Sequence, residues 1–139
     1  MTDSAETLLP ANILARADLR HNEYAWRVAD LPDVIAAARE HGLRSLGGQL
    51  QIRTADAIGE CYWVAIDSCQ TISEDLPWDV QVRMAADIAL KSLAEIAEEF
   101  DFLQELRDAF PDPVATYEAA GNALSNAMWF AWYVDAEVK

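Results

Sequence analysis

Between Trp78 and Leu103 the apolar residues return every three or four positions: Val82, Ala85, Ala86, Ala89, Leu93, Ile96, Ala97, Phe100 and Leu103. On a helix of about 3.6 residues per turn they fall on one stripe. A stripe of that length has to be covered by another element, so this chain needs a second layer. Ahead of it, SEDLPW supplies a capping residue before Pro77. The spacing predicts a helix from about 78 to 98 that bends or breaks into a second piece over 99–110. Pro111 and Pro113 then stop it.

The first half carries the strand signals. Glu23 to Val28 alternates Tyr24, Trp26 and Val28 with Glu23, Ala25 and Arg27, the pattern of a half-buried strand. Asp30 as N-cap, Pro32 in the first turn and Gly42 as a stop bound a helix over LPDVIAAAREHG, with Val34, Ile35, Ala38 and Leu43 inward. Ser45 to Arg53 and Glu60 to Asp67 read as an antiparallel hairpin with a loop of about six residues. Gly47 and Gly48 fall inside its first strand, where glycine marks a bulge or the close approach of another backbone. Pro10 to Ala17 opens a short helix, a further helix after Asp112 runs through Thr116 to Ala120 and ends at Gly121, and ALSNAMWFAWYV is assigned as a helix on its alanine-rich start.

The resulting order is strand, helix, strand, strand, then helices. It predicts an α+β fold: a small, mainly antiparallel sheet of about three strands (β-α-β-β), followed and covered by C-terminal helices. No Gly/Ser/Pro-rich linker, repeat or low-complexity tract divides the 139 residues, so one globular domain, 1–139, is expected, with the polar start 1–7 frayed. MTDSAETLLPANILARAD has no basic start followed by an apolar run, and no stretch reaches 18 apolar residues. A cytoplasmic protein is expected.

Charge separates the two halves. The formal net charge is −14, and 14 of the 24 acidic side chains against 4 of the 10 basic ones lie in residues 70–139. Such a surface repels nucleic acid and anionic membranes, and attracts basic proteins or cations.

Motifs for chemistry are lacking. His21 and His41 have no neighbours that give them a task, and His41 in the last turn of a helix complements its dipole. Cys61 and Cys69 show no metal or disulfide spacing, and Cys61, aligned with Trp63 in a regular strand, is read as buried and reduced. Glu95, Glu98 and Glu99 could line one helical turn, but no His accompanies them as in carboxylate metal bundles. There is no calcium loop, nucleophile elbow, Ser-x-x-Lys or phosphate loop. No metal and no cofactor is expected, and catalysis is the weaker class. The five Trp and four Tyr fill cores for the most part, yet a Trp and Tyr surface ringed by acids would suit a basic protein or a cationic ligand.

In its size, acidity and lack of catalytic residues the chain resembles bacterial toxin-immunity proteins. The resemblance lies in composition and length, and no motif transfers it to particular residues. It implies a basic protein partner and an inhibitory role. The acids expected to face that partner are Glu74, Asp75 and Asp79 in one segment, and Glu95, Glu98, Glu99, Asp101, Glu105 and Asp108 in another. Two alternatives stand beside this reading. One is a small-molecule-binding domain or small enzyme with a pocket between sheet and helices, using Arg53, Glu60, Tyr62 and Asp67. The other is a nucleic-acid mimic, disfavoured because Arg83 and Lys91 interrupt the row Asp79, Asp87, Glu95, which reads as a salt-bridged helix surface.

Overall fold

A computed structural model describes residues 4–138. Five strands form one antiparallel sheet: β1 (Asp18–Arg20), β2 (Glu23–Trp26), β3 (Arg44–Arg53), β4 (Ile58–Asp67) and β5 (Met128–Asp135). Their order across the sheet is β1-β2-β5-β3-β4. The helices are α1 (Ala11–Leu14), α2 (Leu31–Glu40), α3 (Trp78–Glu99), α4 (Phe102–Ala109) and α5 (Pro111–Ala119), joined by short 3-10 turns. The α+β class holds, but the sheet has five strands rather than about three.

The two added strands were hidden for different reasons. β1 has three residues, too few to show a period, and joins β2 through His21 and Asn22, both at positive φ (52° and 65°). Two central residues at positive φ make the mirror-image turn that matches the twist of a tight hairpin. β5 corrects the helix assigned to ALSNAMWFAWYV. Its aromatic run is extended and pairs with β2 on one side and β3 on the other. Phe130, Trp132 and Val134 face the core, while Trp129 and Tyr133 face the opposite way. A strand with large side chains on both faces shows no polar alternation, which is why its period is silent.

β5 runs antiparallel to both neighbours, so β2 and β3 are parallel to one another across it, and α2 is the crossover between them. β4 and β5 are likewise parallel across β3, with α3, α4 and α5 as the connection. The helices pack on one face, over Trp26, Leu50, Ile52, Phe130 and Trp132. From α3 that core takes Ala86, Ala89 and Leu93, whereas Ala97 at the end of the stripe is exposed. α3 ends at Glu99 because Phe100 is extended, and Asp101 starts α4 by accepting a hydrogen bond from the Gln104 amide (3.1 Å). Pro111, expected only as a stop, is also the first residue of α5.

Of the start expected to fray, residues 1–3 lie outside the described residues. Ala5–Leu8 form a turn whose buried Glu6 accepts a hydrogen bond from the Val134 amide (2.9 Å), capping β5 beyond its short pairing with β2. The Trp26 indole donates to the Ile13 carbonyl (2.8 Å) and fixes α1. No helix among the described residues is long and apolar enough to cross a membrane.

Gly47 and Gly48 are the point of closest backbone approach. A Cβ at Gly48 would stand 1.7 Å from the Ala131 carbonyl oxygen, and one at Gly47, whose φ is 121°, 1.9 Å from that of Ile66. One glycine thus admits β5 and the other admits β4. Since rigid backbone has to move, Gly48→Ala is expected to destabilise the fold by about 3 kcal/mol. Gly42→Ala meets no atom within 4 Å and bears only its positive φ of 68°, so it is expected to lose about 1 kcal/mol. Urea denaturation of the two variants checks the contrast.

Candidate functional site

The acids expected to bind a partner fall into two groups at opposite ends of α3. Asp79 and Glu95 are separated by about 24 Å along the axis, at roughly 1.5 Å per residue. Glu74 and Asp75 lie in the loop before α3, and Asp79 in its first turn, where a negative charge suits the helix dipole. At the other end stand Glu95, Glu98 and Glu99, all exposed, followed by Asp101, Glu105 and Asp108 around α4. The structure therefore brings six of the nine together and leaves three apart.

Charge in the larger group is poorly compensated. The last turn of α3 contains no basic residue, so its acids sit at the negative end of the dipole, where each is unfavourable. None of the nine acids takes part in an ion pair among the described residues. Arg107, the one cation in that stretch, is spent on Glu118 through two hydrogen bonds of 2.6 and 2.9 Å. Within the group, Asp101 caps α4 and Asp108 accepts from Gln104 (2.8 Å). The α3 row expected to be salt-bridged is not paired along itself. Asp87 instead reaches Arg39 of α2 at 3.4 Å.

Beside this group the edge strand β4 presents two aromatic rings. Leu50 pairs with Cys61 but Gln49 pairs with Ala65, so Tyr62, Trp63 and Val64 bulge across a single step of β3. The bulge breaks the alternation that would have put Trp63 with Cys61. Cys61 and Val64 are fully buried, while Tyr62 is 75% and Trp63 47% exposed. Bulges re-aim side chains in this way. The two rings meet edge to face, 5.5 Å between centroids, and the Trp63 indole donates to Glu105 Oε2 at 3.1 Å. Glu105 thus joins the aromatic pair to the acids of α4. Sequence reading missed this because a bulge leaves no periodic trace; consecutive Tyr and Trp in a strand, one necessarily facing outward, was the available signal.

Of the hairpin residues proposed for a small-molecule pocket, Arg53 and Glu60 are joined through Gln51, and Tyr62 and Asp67 stand apart from them. Tyr62 is on the edge, and Asp67 turns the chain after β4 by accepting from the Cys69 and Gln70 amides. The hairpin loop has four residues, not six, closed by the Thr54 amide on the Ala57 carbonyl. Arg53 lies on the helix-free face but is fully buried, donating to Gln51, to Asp18 and to Glu23 at 2.8–3.1 Å, and so clamps the β1-β2 hairpin onto β3. Gln51 also donates to Glu23 and Glu60, and Tyr133 donates to Glu23. Between sheet and helices the space is filled by core side chains.

No group of three His, Cys, Asp or Glu among the described residues could hold a metal ion. His41 caps α2 with its ring Nδ1 3.0 Å from the Ala37 carbonyl, and His21 occupies the β1-β2 turn. Burial, and then the Glu105 charge, push the Cys61 thiol up to about 11, so it is not a poised nucleophile. No family model, curated protein or solved structure matches the chain.

Glu23 and Tyr133 are shifted in opposite directions. Burial alone would raise Glu23, but hydrogen bonds from Tyr133 and Gln51 and the charge of Arg53 outweigh it and hold the carboxyl below its ordinary 4.5. Its stabilising effect is complete above that value and is lost as pH falls beneath it. Burial and then the bond to Glu23 push Tyr133 up to about 12, so its contribution is complete below the ordinary tyrosine range and is lost as pH rises through about 12. In an absorbance titration, a tyrosine step is expected near 12, and Tyr133→Phe is expected to remove it.

Proposed function

We propose that this chain is an acidic, cytoplasmic protein-binding module that captures a basic partner protein and neutralises it by covering it, in the manner of an inhibitor or immunity protein. The observation that carries this reading is the exposed Tyr62–Trp63 pair on a free sheet edge, bonded to Glu105 and flanked by acids that form no ion pair among the described residues. Trp and Tyr are the side chains that most often anchor interfaces. Guanidinium and ammonium groups are drawn both to their faces and to nearby carboxylates. The Glu95–Asp108 group therefore steers the encounter, and the aromatic pair holds the complex. The Glu74–Asp79 group, at the far end of α3, acts on approach rather than in the same contact. Phosphate-bearing partners are repelled by the same charge.

Capture from the source cell's extract at low salt, with release by salt, identifies the partner. Recovery of no protein overturns the reading. With the partner in hand, Trp63→Ala is expected to speed dissociation about 30-fold, as loss of a roughly 2 kcal/mol anchor does. The triple change Glu95→Lys, Glu98→Lys and Glu99→Lys is expected to slow association about tenfold at low salt. The same lysines sit favourably at a helix C-terminus, so the melting temperature is expected to hold or rise. Unchanged association would remove the steering role from these acids.

A further inference from the structure

A cleft of about 520 Å3 separates the β3–β4 loop from α5, away from the aromatic edge. Three features of the chain open it. The loop is made of Thr54, Ala55, Asp56 and Ala57, whose short side chains leave space above them. Gly59 admits the ring of Phe110, which a Cβ would meet at 2.6 Å, and this seats the start of α5 beside the hairpin. Gly121, at φ 91°, then turns the chain so that the Asn122 side chain returns to the Tyr117 carbonyl (3.3 Å) and closes the far end.

The lining is chiefly apolar, with Tyr117 half-buried in the wall. Its charged groups are two carboxylates, Asp56 from the loop and Asp112 from α5, and no Lys, Arg or His lines it. Among the described residues neither aspartate takes part in an ion pair or a side-chain hydrogen bond. Arg20, whose guanidinium donates to the Thr54 carbonyl at the cleft's rim, is already paired with Asp18. The volume is that of a small-molecule site. Both carboxylates are solvent-exposed, so their charge draws a cation to the cleft and repels an anion.

We infer that this cleft binds a small organic cation, an ammonium or amidinium group on a compact apolar body. Asp56 and Asp112 attract the charged head, and Tyr117 and the alanines receive the body. This site is independent of the partner-binding reading and uses none of its residues.

Three molecules of one shape test it: benzamidine (cation), benzamide (neutral) and benzoate (anion), titrated into the 15N-labelled chain. Benzamidine is expected to shift the amide resonances of residues 54–57 and 116–122 saturably, with benzamide at least tenfold weaker and benzoate without effect. Asp56→Asn with Asp112→Asn is expected to weaken benzamidine at least tenfold while resonances elsewhere keep their positions. Equal binding of benzamidine and benzamide overturns the inference. So do benzamidine shifts spread equally over the acids of residues 95–108, which would show general attraction to an acidic surface. The wild-type comparison stands whether or not the double variant folds.

Discussion

The last strand of the chain lies in the middle of its sheet, and it fits there because Gly48 has no side chain. The Ala131 carbonyl occupies the place where a Cβ would stand, and Gly47 offers the same clearance to Ile66 on the other side. With β5 seated between β2 and β3, both crossovers are forced to span a strand, and their helices collect on one face. The opposite face is closed by polar groups instead. Arg53, Gln51, Glu23 and Tyr133 form a network in which no buried side-chain polar atom of the described residues lacks a partner. A buried arginine with its acceptors in place is costly to break, which makes Arg53 a fastening for the N-terminal hairpin rather than a reactive group.

That arrangement also decides where charge is left over. Arg16, Arg20, Arg39, Arg44, Arg53 and Arg107 are each paired with acids inside the fold. Arg27 lies 3.7 Å from the centre of the Trp129 ring and donates to carbonyls of the turn before β5. Most of the cations are spent on architecture, Arg83 and Lys91 of α3 excepted, and six acids without an ion pair gather where α3 meets α4. Three of them sit at the unfavourable end of a helix dipole, a placement that stability does not explain.

Much of the helical layer was legible. The stripe from Val82 to Leu93, the Pro32–Gly42 bounds of α2 and the break near residue 100 follow from periodicity and from proline and glycine, which act over one or two turns. The side-chain caps expected at Asp30 and ahead of Pro77 do not form, and Asp30 pairs with Arg16. The β3-β4 hairpin was legible for the same local reason. β5 was not, because alanines upstream favour helix while the strand's own signal, aromatics on both faces, comes from being enclosed by two neighbours. Of the candidate site, the acids and their concentration in the second half were readable, but their division into two groups about 24 Å apart follows from the unbroken length of α3. The role of Glu105 depended on Trp63, which a regular strand would have turned inward.

By itself, then, the sequence determined the amphipathic helices, the hairpin, the glycine pair and the acidic balance, since each rests on neighbours within a few positions. The tertiary structure alone decided that the C-terminal segment becomes the central strand, that a bulge lifts Tyr62 and Trp63 out of the sheet beside Glu105, and that a loop and a helix more than fifty residues apart border a cleft lined by two aspartates. Those are long-range pairings, and their free energy comes from surfaces that local sequence does not bring together.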